Sequence, residues 1–407
     1  MKILQLSHKL PWPLRDGGAW SIWSSTHALL RSGISVKMLA VATPASQAGT
    51  PDIPERFREA VQLEWETVNT RLNPLHALAA MVANKPYIVS RFYSDDFALR
   101  LEKLLQEQTF DAIQLEHLCL GLYLPVLRRF SRAPVVLRPQ NVEHRVWERY
   151  RRQETGWFIN RYLATETRKL RDFEIRLAGK VDAIMAISDE DAEFFRICAP
   201  ASTRVITLPA GFDFGLLSSL DPERSYSHFP QFYHLGSMDW RPNIQGIKWF
   251  LRYILPVVTR RNPDFVLRLA GKQMPQWLYR RQGQNLVVDG EVEDAMRYLE
   301  DKSVLVAPLL AGSGMRIKIV EAMALGKTVI ATTAAAEGIA CIGGKHILLA
   351  DTPAEFAQCI SRCSESAGLC REIGNNAQQF ARENFDIRSI GEKMAGFYRE
   401  IVPSPSQ

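Results

Sequence analysis

The chain has 407 residues, a net charge of +6, and 46% hydrophobic and 23% charged residues. This composition excludes a disordered or low-complexity protein, and the length predicts two domains of roughly 200 residues each. No apolar run reaches the roughly 18 residues that a membrane-spanning helix requires.

The N-terminal sequence MKILQLSHKLPWP turns polar too soon for a secretory signal and predicts a first strand. Six cysteines lack paired CxxC spacing, so we expect buried reduced thiols rather than a zinc site. They are Cys119, Cys198, Cys341, Cys359, Cys363 and Cys370. These features predict a cytoplasmic protein.

The first half alternates strand-like and helical segments. Strands are expected at Lys2–Leu6, Val36–Val41, Asp111–Leu115, Pro134–Leu137 and Ala183–Ile187. Helices are expected over about Ala19–Arg31 and Asn160–Ala178.

The second half repeats this alternation. Strands are expected at Phe232–Gly236, Phe265–Ala270, Leu286–Val288, Val304–Pro308, Thr328–Thr332 and His346–Leu349. Helices are expected over about Ile244–Val258, Asp294–Glu300 and Ile387–Ile401, with another after the strand at Val304. The alternation predicts an α/β protein with two parallel, Rossmann-like sheets.

The break in the pattern near Val205–Phe214 predicts the seam between the domains. We expect an N-terminal domain over 1–208, a second domain over 209–385, and a final helix and tail over 386–407. Ligands bind beyond the carboxyl ends of parallel strands, so facing sheets would form a cleft. The final helix either closes the second domain or crosses back to the first.

Residues 304–338 carry the most specific functional signal. The strand at Val304 runs into the turn Gly312-Ser313-Gly314, and a helix follows directly. Free N–H groups and the positive end of the dipole at a helix N-terminus favour an anion. Arg316 and Lys318 add positive charge, and Glu321 is placed to accept hydrogen bonds from sugar hydroxyls. This arrangement predicts a diphosphate site.

Two segments, GSGMRIKIVEAMALGKTVIATTAAAEG and HLGSMDWRPNIQGIKWFL, resemble the GT-B retaining glycosyltransferases of family four (glycosyltransferase group 1). Within that family, the second segment is also similar to the sugar transferases of bacterial exopolysaccharide clusters. The resemblance covers nearly the whole chain. It implies two Rossmann-like domains, with a nucleotide-diphospho-sugar donor held by the second.

The resemblance assigns Glu321 to the second glutamate of the family's EX7E signature, which holds the donor ribose. The first glutamate is replaced by Ser313, so a carboxylate contact with the sugar is lost. The family's Arg/Lys pair is also missing, because Ser237 and the region of Gln245 occupy those positions. Arg316 is the first substitute for the missing charge, followed by Lys318, with Arg241 and Lys272 as weaker candidates.

His117 matches a histidine near the donor sugar, with Glu116 as its less favoured neighbour. Gly17 and Gly18 match a glycine loop, or form a simple turn. Gly290 and Glu291 match a loop that contacts the base. The resemblance thus implies catalytic roles for His117, Arg316 and Lys318. It implies donor binding by Gly17, Gly18, Gly236, Gly290, Glu291, Gly312, Ser313, Gly314, Met315 and Glu321.

The stretch RPQNVEHRVWERY resembles an acceptor-side loop, with Asn141, Glu143 and His144 as polar candidates. Residues 128–180 contain fourteen Lys/Arg and six Asp/Glu, a balance of +8. This segment indicates either an anionic membrane or lipid substrate, or a solvated helix face. Nucleic acid is not expected, because no nucleic-acid-binding signature is present. Trp12, Trp20 and Trp23 form either a membrane patch or packed core.

The sequence therefore predicts a retaining, metal-independent hexosyltransferase that moves a sugar from a nucleotide-diphosphate donor to a glycan or lipid-linked acceptor. Cell-surface or exopolysaccharide synthesis is the expected setting, in the cytoplasm or on the inner face of the membrane. No cofactor is expected. A sugar-nucleotide epimerase and a non-catalytic partner in polysaccharide assembly remain open alternatives.

Overall fold

The computed structural model describes residues 1–14, 17–43, 53–71, 73, 80, 83–152, 156–219, 221, 223–310 and 315–402. Within these residues, seven parallel strands form a first sheet in the order β3-β2-β1-β4-β5-β6-β7. They are β1 Lys2–Ser7, β2 Ser35–Ala42, β3 Glu64–Thr67, β4 Ala112–Leu115, β5 Val135–Leu137, β6 Ala183–Ala186 and β7 Arg204–Thr207.

A second sheet has six parallel strands among the described residues, in the order β10-β9-β8-β11-β12-β13. They are β8 Phe232–Leu235, β9 Leu267–Ala270, β10 Leu286–Gly290, β11 Val304–Ala307, β12 Thr328–Ala331 and β13 Leu348–Leu349. The interior strands β11 and β12 are buried along their whole length, as expected for parallel strands covered on both faces.

Helices connect the strands of both sheets. Those of the first sheet are α1 Gly17–Arg31, α2 Glu55–Ala60, α3 Tyr87–Ser90, α4 Asp95–Glu107, α5 Leu124–Phe130, α6 Glu143–Arg152, α7 Trp157–Ala178 and α8 Asp189–Cys198. The 3₁₀ segment Leu118–Tyr123 directly follows β4.

The second sheet has its own helices, again bounded as the structure shows. They are α9 Arg224–Ser227, α10 Arg241–Trp249, α11 Leu255–Arg261, α12 Gln276–Tyr279, α13 Ala295–Leu299, α14 Ile317–Ala324, α15 Thr333–Ala336, α16 Pro353–Glu365, α17 Ala367–Phe385 and α18 Ile387–Ile401. A 3₁₀ segment spans Phe214–Ser219, and a π segment, Phe250–Ile254, joins α10 to α11.

The observed elements confirm the predicted α/β fold and correct it in three places. Helix α1 begins at Gly17, so the glycine pair opens the helix instead of forming a loop before it. Strands β3 and β7 were not predicted. The helix expected over Ile244–Val258 is interrupted by the π segment, which places Pro256 in the first turn of α11, where its missing N–H is tolerated.

The described chain divides into two units, residues 1–211 with α18, and Phe212–Asp386. Helix α18 packs on α1, and it adds Ile390 and Tyr398 to the core beneath the first sheet. A Cβ on Gly391 would lie 2.5 Å from the Ala28 carbonyl oxygen, so glycine is required for this close approach. Of the two alternatives left open for the final helix, packing on the first unit is the one observed.

Among the described residues, no helix combines the length and the apolar character needed to cross a bilayer. All six cysteines are free thiols, and four of them are buried. Cys363 and Cys370 pack in the core of the second unit, where the thiol of Cys370 faces the Cys363 carbonyl oxygen at 3.7 Å.

Candidate active site

The second sheet reverses its strand order between β8 and β11, because the chain fills the positions on one side of β8 before it returns to the other. In open parallel sheets, ligands bind at the carboxyl ends of the strands beside such a switch point. Gly236 directly follows β8. After β11 the chain leads to α14, which carries Lys318 and Glu321.

The ammonium of Lys318 is held beside Gly236. It donates to Asn243 Oδ1 at 2.8 Å and lies 3.5 Å from His234 Nε2. His234 Nδ1 lies 2.8 Å from the Val306 carbonyl oxygen, so Nδ1 carries the proton and Nε2 is left as an acceptor. A Cβ on Gly236 would lie 2.5 Å from Lys318 Nζ, so only glycine leaves room for the ammonium.

Asn243 is fixed in turn, because its Nδ2 donates to the Ser237 carbonyl oxygen at 2.7 Å. This bond orients the amide so that its oxygen faces Lys318. The chain therefore places a lysine from α14 beside the carboxyl end of β8. Asn243 and His234 position this cation, although neither was predicted as a site residue.

The pKa values of Lys318 and Glu321 are both shifted toward neutrality. Burial, together with nearby Arg316, lowers the pKa of Lys318 to about 7, although Glu321 raises it. Burial raises the pKa of Glu321 to about 7, although Lys318 lowers it. The two groups lie three residues apart on one face of α14, so they titrate as a coupled pair near neutrality.

Arg316 precedes α14 as its N-cap residue and is buried. Its guanidinium lies 5.5 Å from the centre of the Trp240 ring, a cation–π distance. Met315 is buried beside it. The predicted donor residues Gly312, Ser313 and Gly314 lie outside the described residues, so their roles stay predictions.

Gly290 ends β10 with φ +79°, a conformation that favours glycine. Its carbonyl oxygen accepts the Gly271 N–H at 2.7 Å. Glu291, which follows it, is exposed at the same strand end. Gly236, Gly271 and Gly290 thus lie at the carboxyl ends of three adjacent strands. The predicted base-contacting loop lies at the same strand ends.

The first sheet has its own switch point, between β1 and β4. His8 follows β1 and His117 follows β4, and their ring centres are 4.3 Å apart. Burial and the neighbouring His117 and Lys9 lower the pKa of His8 well below its ordinary value. Among the described residues, His8 Nδ1 has no hydrogen-bond partner.

His117 is held between two groups. The Cys119 backbone N–H donates to Nδ1 at 3.2 Å, and Nε2 lies 3.2 Å from Glu143 Oε1. Burial lowers the pKa of His117, whereas Cys119 and Glu143 raise it above its ordinary value. Because Nδ1 accepts the Cys119 N–H, the tautomer of the neutral ring that fits this geometry carries its proton on Nε2, which faces Glu143.

Glu143 is the first residue of α6, and Glu174 of α7 accepts hydrogen bonds from this end of the helix. The Glu143 N–H donates to Glu174 Oε1 at 2.9 Å, and His144 Nδ1 lies 2.6 Å from Glu174 Oε2. The structure therefore separates two acceptor candidates. Glu143 faces His117, whereas His144 is buried against Glu174, a location that disfavours its predicted contact with an acceptor.

Gly18 lies in close contact with Lys9 and Gln140. A Cβ there would lie 2.7 Å from Lys9 Nζ and 3.0 Å from Gln140 Oε1. Gly17 is exposed at the first position of α1, and Asn141 is half-buried after Gln140. Three of the predicted residues thus lie near the strand ends that carry His8 and His117.

Glu116 is fully buried in a polar network beneath these histidines. Its Oε1 accepts bonds from Gln5 Nε2 and Ser25 Oγ, both at 2.5 Å, and from the Gln114 amide. Arg138 Nη1 lies 3.2 Å from its Oε2. Because these contacts use both oxygens internally, Glu116 stabilises the strand ends and is not exposed to a ligand.

Trp12 and Trp23 pack against the first unit's core, and Trp20 Nε1 donates to the Gly211 carbonyl oxygen at 3.2 Å. The packed-core alternative therefore describes these tryptophans better than a membrane patch. In the described part of the chain, no group of three His, Cys, Asp or Glu side chains is placed to hold a metal ion. Metal independence stays a prediction.

Sequence reasoning missed His8, His234 and Asn243. His8 had a usable signal, because it follows an apolar strand whose carboxyl end lies at the predicted ligand edge. Asn243 and His234 lie in the quoted segment HLGSMDWRPNIQGIKWFL, but their contacts with Lys318 could not be predicted, because Lys318 is 75 and 84 residues away in sequence.

Residues 230–366 match the family described as "Glycosyl transferases group 1". An "Uncharacterized 44.6 kDa protein in cps region" of Klebsiella pneumoniae is 26% identical over 165 residues. That alignment covers 38% of this chain and 42% of the relative, less than half of either.

Solved structures match nearly the whole chain. Anabaena Alr3699/HepE in complex with UDP aligns with a TM-score of 0.65 at 17% identity, covering 98% of this chain and 100% of that one. The sucrose-phosphate synthase of Thermosynechococcus elongatus aligns with a TM-score of 0.69 at 16% identity, covering 98% and 99%. The predicted resemblance is confirmed: the chain has the GT-B fold, and residues 230–366 of its second unit match the Glycosyl transferases group 1 family.

Proposed function

We propose that this protein is a glycosyltransferase whose second unit binds a nucleoside-diphosphate sugar at the carboxyl ends of β8 and β11. The observation that carries the proposal is the Lys318 ammonium, held against Gly236 by Asn243 and His234. A positioned cation at a helix N-terminus suits a diphosphate. Glu321, one turn further along α14, suits the ribose hydroxyls.

The relatives support this donor class. HepE was solved with UDP and with UDP-glucose, so we propose a uridine diphosphate sugar as the first donor to test. The Klebsiella relative is described by its cps region, which supports a role in cell-surface polysaccharide synthesis. The proposed acceptor is a glycan or a lipid-linked sugar.

The proposed reaction retains the configuration at the anomeric carbon and uses no protein nucleophile. The bond from this carbon to the diphosphate oxygen breaks while the acceptor oxygen bonds on the same face, and the acceptor proton passes to the departing diphosphate. Lys318 offsets the negative charge that grows on the leaving group. We propose that no metal ion is needed, because α14 and its cation supply this charge.

A thermal-shift series with nucleoside diphosphates tests the donor site. A ligand at about 100 times its Kd stabilises the state that binds it by about 2.7 kcal/mol, so the preferred base should raise the Tm clearly. Incubation with a panel of sugar nucleotides then tests the chemistry. Slow release of free sugar, faster with acceptor extract, supports the transferase, whereas an epimerised sugar nucleotide or binding without turnover would contradict it.

Replacing Glu321 with alanine should weaken donor binding by about 10- to 100-fold, because a hydrogen bond to a charged group contributes about 1.5–3 kcal/mol. The melting temperature without ligand should change little. Glu321 is half-buried, and the raised pKa shows that burial disfavours its charged form, so its loss removes little stabilisation from the free protein. Donor Kd from calorimetry measures the effect. Glu372→Ala, an exposed glutamate on α17, is the matched control. Unchanged donor affinity in Glu321→Ala would remove the ribose role.

A further inference from the structure

The first turns of α7 expose four large apolar side chains. Trp157 is 66% exposed, Phe158 81%, Ile159 52% and Tyr162 45%. They lie within six consecutive residues, and the Trp157 and Phe158 rings contact each other edge to face, with centres 4.7 Å apart. Single exposed apolar residues are common on protein surfaces, but a cluster of this kind marks an interaction surface.

Hydrogen bonds and core packing connect the cluster to the rest of the first unit. The ends of α6 and α7 are joined by two reciprocal bonds between Arg151 and Asn160, each 3.1 Å long. Further along α7, Leu163 and Leu170 are buried, and Leu170 belongs to the first unit's core. The backbone position of the aromatic turn is therefore set by the packed part of the same helix.

Positive charge continues from the cluster along the same face of α7. Arg161 lies four residues after Trp157, and Arg168 lies seven residues further on, so all three are on one side of the helix. These arginines and Arg171 are exposed. Arg152, at the end of α6, adds another exposed cation next to the aromatic turn.

We propose that the exposed face of α7, with the end of α6, docks the protein on an anionic lipid membrane. Tryptophan and tyrosine favour the bilayer interface, since they combine an apolar ring with a polar group, and exposed arginines are attracted to anionic headgroups. We choose an anionic membrane as the partner because these arginines complement its negative charge. They lie in the segment 128–180, whose net charge is +8. The inference is independent of the donor site and goes beyond the proposed reaction.

Co-sedimentation of the full chain with phosphatidylcholine vesicles, with and without about one-third phosphatidylglycerol, tests this surface. We expect binding to the anionic vesicles only, with a steep loss at high salt. Trp157→Ser/Phe158→Ser and Arg161→Gln/Arg168→Gln should each weaken binding about tenfold or more, with unchanged melting temperatures.

Two control variants match these changes. Ile197→Ser removes an apolar side chain that is 77% exposed on α8, and Arg260→Gln/Arg261→Gln removes two exposed cations from α11. Both should bind vesicles like the unmodified protein. Equal binding to neutral vesicles, or equal losses in the controls, would overturn the proposal. So would a dimer in solution that Trp157→Ser/Phe158→Ser dissociates, because the face would then join two copies of this chain.

Discussion

Replacing Lys318 with methionine is expected to lower kcat by about 10²- to 10³-fold, the loss found when one preorganised charge-stabilising donor is removed. The substituted side chain keeps a similar length but offers no charge to the diphosphate as its bond to the sugar breaks. Donor Kd should change far less, because the interaction strengthens in the transition state. Steady-state kinetics with the donor found by the thermal-shift series would measure both.

Comparing Arg316→Met with Lys318→Met shows which of the two cations contributes more to kcat. The sequence favoured Arg316, but its guanidinium lies over the Trp240 ring, whereas the Lys318 ammonium is fixed beside Gly236. We therefore expect the smaller loss of kcat from Arg316→Met. A larger loss from Arg316→Met than from Lys318→Met would return the main role to Arg316.

The pH dependence of kcat/KM should be bell-shaped around neutrality. Glu321 accepts ribose hydroxyls best when ionised, so activity should fall as the pH drops through its pKa of about 7. Lys318 neutralises the diphosphate only when protonated, so activity should also fall as the pH rises through its pKa of about 7. Because the groups are coupled, the two apparent values belong to the pair. Lys318→Arg should move the alkaline limb upward, and an unmoved limb would contradict this assignment.

Arg138→Met is expected to destabilise the first unit by about 3–5 kcal/mol, the usual loss when one partner of a buried ion pair is removed. Arg138 is 1% exposed and Glu116 is 0% exposed, so the substitution leaves a carboxylate in the core without its cation. Urea denaturation, followed by a probe in the first unit, would measure the change in the free energy of unfolding.

Two further variants separate charge from packing. Arg204→Met breaks an exposed pair with Glu400 in the same unit and should have a much smaller effect. Adding Glu116→Gln to Arg138→Met should restore much of the stability, because it removes the uncompensated charge and keeps an acceptor for Gln5 and Ser25. No recovery in the double variant would show that packing, and not charge, causes the loss.

Strand and helix periodicity predicted most of the fold, and for α18 it gave both ends correctly. It failed where the pattern was weak. Strand β3 has the sequence EWET, with three half-buried residues and one exposed, so no apolar alternation marks it. Strand β7 is also exposed or half-buried, and it lay where the seam between domains was expected.

The candidate site was predicted as far as local motifs reach. The helix that carries Lys318 and Glu321, and the glycine after β8, could be placed from the sequence because each follows a recognisable apolar strand. The partners of Lys318 could not, because β8 and α10 meet α14 only in the folded sheet. The same holds for His8, which meets His117 across two adjacent strands.

The packing of α18 also has a consequence for the order of folding during synthesis. The Tyr398 hydroxyl bonds Gln114 Oε1 across 284 residues of sequence, and α18 supplies Ile387, Ile390 and Met394 to the core of the first unit. That core cannot be completed until the ribosome has released this helix, whereas Phe212–Asp386 is contiguous and emerges earlier. We therefore expect the nascent chain to finish its second unit first, the reverse of the usual N-terminal-first order.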